Sequence, residues 1–287
     1  MGFFAEVSAW LDTLLADYVA ATAATVATAL EPALTALATV YVIGWGYLQL
    51  TGQIEEPLRD GIARIARLGV VFGVGLHLWL YNSVIVDSFF TAPGALAGAV
   101  IGAPDAVTTV DEIIFSGGDA ASALMQKGGV LDGNFAYFIA GFFVYGAVGI
   151  AAVYTVFLLS LAKVALSVLL ALGPLFIALV LFRSSRRFFD AWIAQLVNYA
   201  LVAILATLVV ALLMHLLTAA ASAAAALGAE ITIADAVKVC FAAALIFLVL
   251  RQVMPMAAGL ANGMALSTHN AFSRSGQWLA GNVLSRP

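Results

Sequence analysis

Side chains able to do chemistry are sparse in this sequence of 287 residues. His77, His215 and His269 stand alone, with no second ligand three or four residues away. None has the HExxH-type spacing that sets two imidazoles on one helical face around a metal. Cys240 is the single cysteine, which excludes a disulfide framework and any multi-cysteine metal site. The phosphate-cradling GxxxxGK[ST], the dinucleotide GxGxxG and the nucleophile GxSxG are all absent. Lys163, Asp190 and Arg251 are the ionisable groups nearest to apolar runs, the signature a coupled transporter would need. Lys163 can snorkel from its helix or mark an internal site. Asp190 lies three residues after Arg187 and four after Arg186, so a local ion pair on one helix face accounts for it. Arg251 ends an apolar run as an interfacial anchor would. No catalytic residue, metal or cofactor is expected, and no enzyme.

The elements that carry these residues are set by composition. Hydrophobic residues make up 64% of the chain and charged ones 10%, with a mean hydropathy of +1.07. A soluble domain runs about 45–50% apolar and about 25% charged. This excludes a soluble enzyme and a disordered scaffold. The net charge of −4, from 12 Lys and Arg against 16 Asp and Glu, excludes a nucleic-acid module with a basic face. Glu6, Asp12 and Asp17 open the chain without a Lys or Arg, so no cleavable signal is expected. The expected class is an all-α, polytopic membrane helical bundle.

A membrane span needs about 20 mostly apolar residues. Candidates are 33–50, 62–86, the long stretch 135–182, 188–217 and 236–256. Nine of the twelve cations, all arginines, lie in 51–67, 183–190 and 251–287. Segments 1–32, 87–134 and 218–238 hold only Lys127 and Lys238 against twelve of the sixteen acids. The positive-inside rule puts the first set in the cytoplasm and the second outside. An outward N-terminus and an inward C-terminus require an odd number of crossings. The stretch 135–182 therefore crosses once, as a long helix from Phe135 that breaks at Gly173-Pro174, where proline removes a backbone donor. We expect five net crossings, with six segments as the alternative.

Between the spans, three regions differ in character. Phe3, Phe4, Val7, Trp10, Leu11, Leu14, Leu15 and Tyr18 recur at helical spacing, so 1–32 reads as an amphipathic helix. Its polar face is acidic, where lipid-binding helices carry Lys and Arg, so it rests on lipid or packs on neighbouring protein. Residues 87–134, with Asp105, Asp111, Glu112, Asp119 and Asp132 among Gly, Ser and Pro, read as an outward loop domain with little core of its own. Gly69-xxx-Gly73 and Gly259-xxx-Gly263 offer small-residue packing within the chain or between subunits. The domain division is 1–32, 33–86, 87–134, 135–256 and a cytoplasmic tail 257–287.

Residues 172–196 carry a more specific signal. Leu172-Gly173-Pro174-Leu175-Phe176, then Phe182-Arg183, Arg186, Phe188-Phe189, Trp192 and Gln195-Leu196, resemble the signature of the TrbL-type family. Its members are polytopic inner-membrane channel subunits of type IV secretion systems, counterparts of the sixth protein of the VirB set. The closing Pro255-Met256-Ala257-Ala258-Gly259 with Gly263 is also similar. The resemblance implies a multi-pass protein of the bacterial inner membrane, N-terminus periplasmic and C-terminus cytoplasmic. It implies a homo-oligomeric, non-enzymatic subunit that supports pilus or stalk assembly and the translocation of DNA or protein. Its partners would be the other inner-membrane subunits, a pilus or stalk-base protein, the secretion ATPases and a transient substrate. Gly173, Pro174, Arg183, Arg186, Arg187 and Trp192 would be motif and topology anchor, with Trp192 holding the next helix near the interface. Trp10 and, in the outward loop, Ile113, Ile114 and Phe115 would contact partners, with Leu124 and Met125 adding apolar surface. The alternative function is a small-molecule transporter or permease component.

Overall fold

A computed structural model describes residues 2–52, 68–69, 72–73, 78–101, 106–128, 134–181, 185–227 and 230–283. The described residues form helices and no strand. In order, these are α1 (Phe3–Leu50), α2 (Leu78–Tyr81), a π-helical stretch (Asn82–Thr91), α3 (Ala92–Ile101), α4 (Ala106–Lys127) and α5 (Phe135–Ala171). Then follow α6 (Gly173–Ala178), a 3-10 turn (Leu179–Leu181), α7 (Arg186–Ala226) and α8 (Ile233–Val283).

Four helices are long and apolar enough to cross a membrane: Phe3–Leu50, Phe135–Ala171, Arg186–Ala224 and Ile233–Asn262. Each exceeds what the bilayer asks, since the 37 residues of α5 extend about 55 Å against a hydrocarbon core of about 30 Å. About half of the expected span 62–86 lies outside the described residues, including most of 62–77. The expected boundary at 32 is not a break: α1 runs as one 48-residue helix with Pro32 inside it. α8 likewise runs through Pro255. Its start is fastened by the Asp235 carboxylate, to which the Thr232 N–H and hydroxyl donate at 3.1 and 2.7 Å.

The chain divides into two compact units. One comprises Met1–Leu14, Ala92–Val164 and Tyr199–Ala258. Its core takes residues three or four apart from each helix: Val144, Val148 and Ala151 on α5, Val202, Ala206 and Val210 on α7, and Ala243, Ile246 and Leu250 on α8. The segment 87–134 is not the expected loop over its described residues. Its residues 106–127 form the 22-residue helix α4, and Val107, Val110, Ile113, Ala120, Ala121 and Leu124 are buried along one stripe of it. α4 approaches α5 where side chains are missing: a Cβ on Gly141 would strike Met125 and the Ala121 carbonyl. Asp111, Glu112 and Asp119 occupy the other face of this helix, and Asp105 and Asp132 fall outside the described residues.

The second unit comprises Leu15–Thr91, Ala165–Asn198 and Gly259–Pro287. Leu15, Val19, Ala23 and Ala27 form a buried stripe along α1 at steps of four. Tyr81, Leu166, Leu170, Ile177, Trp192 and Leu196 are buried with it.

Candidate functional site

The second unit holds the sequence motif. α5 stops at Ala171, and the chain restarts as α6 with Pro174 in its first turn. Leu172 links the two: its N–H donates to the Val168 carbonyl at 3.3 Å, and its carbonyl accepts from the Leu175 and Phe176 N–H groups at 3.1 and 3.4 Å. The six-residue α6 is too short to persist on its own hydrogen bonds. Side-chain contacts hold it. The Trp192 indole stacks on the Phe176 ring, 5.7 Å between centroids and 11° between planes, and meets Phe189 at 5.6 Å. Its N–H donates to the Leu169 carbonyl at 2.9 Å. The Ser185 hydroxyl donates to the Leu179 carbonyl at 2.8 Å, closing the turn into α7.

Gly173, Pro174 and Trp192 are thus brought together and buried. Trp192 is enclosed by protein. It is 2% exposed, because its indole has both a ring to stack on and a carbonyl to serve. Arg186 and Arg187 lie exposed on the first turn of α7, and Arg183 falls outside the described residues. Among the described residues the ion pairs are Lys163–Asp12 and Lys238–Asp235, so the local pair expected for Asp190 does not form. Water competes well for side chains on an exposed first turn. Tyr81 completes the site: its hydroxyl donates to the Leu170 carbonyl, 89 residues along the chain. Nothing in the sequence near the motif points to it.

The first unit holds the start of the chain, where two polar residues of the expected amphipathic helix, Ser8 and Asp12, find partners within the protein. Lys163 Nζ lies 2.7 and 2.8 Å from the two Asp12 carboxylate oxygens and donates to the Ser8 hydroxyl at 3.1 Å. Lys163 is therefore an internal partner and not a snorkelling residue. The Phe4 and Ala5 N–H groups donate to the Asp111 carboxylate of α4, each at 3.2 Å. A carboxylate there serves the open N–H groups at the start of α1 and suits its positive end. With Ser8 and Asp12 inward, four of the apolar residues point out: Phe3 is 70% exposed and Trp10 65%, with Val7 and Leu14 also exposed. These four are spaced by four, three and four residues, a seam suited to a second helix.

On α4 the proposed contacts divide. Ile113 is 1% exposed and sits in the core of its own unit, so it is not available to a partner. Ile114 is half-buried and Phe115 is 71% exposed. The same burial removes Leu124 from the contact surface. The sequence reading missed Tyr81, Asp111 and the pairing of Lys163. Their partners lie roughly 90 to 150 residues away, beyond any local spacing rule.

A family model described as "TrbL/VirB6 plasmid conjugal transfer protein" matches residues 38–253 of this chain. The match includes the joint at 169–192 and α4, and it excludes the seam around Trp10. A "Type IV secretion system protein VirB6" of Bartonella quintana (strain Toulouse) is 24% identical over 219 residues, covering 75% of this chain and 68% of that protein. The VirB6 of Bartonella henselae is 23% identical over 203 residues, covering 70% and 63%. That of Brucella suis biovar 1 is 25% identical over 170 residues, covering 55% and 49%. The aligned part thus spans about half to two thirds of these relatives.

Proposed function

The chain belongs to the TrbL/VirB6 plasmid conjugal transfer family, and from that premise we propose that it is a multi-pass inner-membrane subunit of a type IV secretion system. In this role it supports pilus or stalk assembly and the passage of DNA or protein. The observation that carries the reading is the family match across 38–253, which takes in helices of membrane-spanning length. The role is non-enzymatic, and energy comes from partner ATPases, in keeping with the missing phosphate-binding loop. Other inner-membrane subunits, a stalk-base protein and further copies of the chain are its neighbours. Nothing in the site favours the small-molecule transporter.

The N-terminus is periplasmic and the C-terminus cytoplasmic in this reading, supported by the arginine distribution. With Cys240 replaced by alanine, a membrane-impermeant maleimide should label a cysteine at Asp119 in intact cells but not one at Ser275. Labelling at 275 and not at 119 would reverse the orientation.

Trp10 and Phe115 are the proposed partner contacts, since both expose large apolar side chains. A charge on either face disrupts an apolar contact and leaves the core intact. Trp10→Glu or Phe115→Glu should therefore lower pilus formation and substrate transfer at least about tenfold, with membrane abundance within about twofold of the parent. Ile113→Glu is the contrast, since a buried charge there depletes the protein itself. Full transfer by both surface variants would show that these faces rest on lipid.

A further inference from the structure

The break after Ala171 has a hydrogen-bond account that closes only with side chains from elsewhere. In an unbroken helix the Leu169 carbonyl would take the N–H of residue 173, and the Leu170 carbonyl that of residue 174. Residue 174 is proline and has no N–H to give. Leu170 is fully buried, and a buried carbonyl must find a donor within the protein. The Tyr81 hydroxyl supplies it, as the Trp192 indole does for Leu169.

Space enforces the same arrangement. A Cβ on Gly173 would overlap the Tyr81 phenol, and Tyr81 is 0% exposed, so the ring has nowhere to withdraw. Proline by itself does not break helices in this chain. Pro32 and Pro255 lie inside α1 and α8, which run on through them. The break occurs where a proline, a glycine beside it and an inserted phenol coincide.

We propose that Tyr81 is the positioning residue of this joint. Its phenol replaces the donor that Pro174 lacks and, seated beside Gly173, keeps α5 and α6 from joining as one straight helix. The secretion role above is assumed for one readout only, that the bent joint is needed for transfer.

The test is a double-mutant cycle in the full chain, expressed with its secretion partners. Four versions are compared: the parent, Tyr81→Phe, Pro174→Ala and the two changes combined. Membrane abundance and transfer per molecule are both measured. Tyr81→Phe should lower abundance about fivefold or more, because a buried carbonyl loses its donor. Adding Pro174→Ala should restore abundance to within about twofold, because residue 174 then supplies its own N–H. Transfer per molecule should stay at least about tenfold down in the combined variant, since neither the missing donor nor the phenol hydroxyl then holds the break. Equal damage from Tyr81→Phe with proline or alanine at 174 would overturn the donor role. Parental transfer by the combined variant would overturn the need for a bent joint. If the parent itself supports no transfer, the secretion reading fails, while the abundance cycle still decides the role of Tyr81.

Discussion

Gly173→Val is expected to deplete the protein from membranes about tenfold, while Gly146→Val leaves its abundance unchanged. Both glycines lie in or beside long apolar helices, so loss of a flexible residue is common to the two. What differs is the space. At Gly146 a Cβ meets nothing within 4 Å, whereas at Gly173 it overlaps the Tyr81 hydroxyl and ring. The phenol cannot retreat without stranding the Leu170 carbonyl. Overpacking a tight site costs about 1–3 kcal/mol, and an unpaired buried acceptor adds a cost of similar size. Quantitative immunoblotting of membrane fractions checks this. Equal abundance of the two variants would mean that the joint can open to admit a side chain.

Lys163→Met is expected to free the start of α1. A cysteine at Ser8, in a background with Cys240 replaced by alanine, should then react with maleimide about tenfold faster than in the parent. The parent site is nearly closed, with Ser8 buried. Methionine keeps the length of the side chain but leaves the partly exposed Asp12 carboxylate without its cation. Removing one partner of such a pair harms more than removing both. The combined Lys163→Met, Asp12→Leu variant should therefore return to within about threefold of the parental rate. If the single and combined variants react alike, the ion pair does not hold the segment, and the Asp111 contacts to Phe4 and Ala5 do so alone. The outward seam at Phe3, Val7, Trp10 and Leu14 depends on this fastening, because the same pair turns Ser8 and Asp12 inward.

Composition alone sets the medium and the class of fold. At 64% hydrophobic and 10% charged, no arrangement of this chain could present a surface suited to water, and helices are the economical way to satisfy its backbone in lipid. Those are sums over the chain and need no partner to be known. The stripe of Val107, Val110, Ile113, Ala120 and Leu124 was also present in the spacing, but acids and glycines around it suggested a loop. Only the packing of α4 on α5 decided that Ile113 turns in while Phe115 turns out. The prolines make the division plainest. Pro32, Pro174 and Pro255 remove the same donor, yet only at 174 does the helix end, because Tyr81 and Trp192 arrive there from other parts of the chain. Local chemistry sets what each residue lacks, and tertiary structure alone settles which distant side chain supplies it.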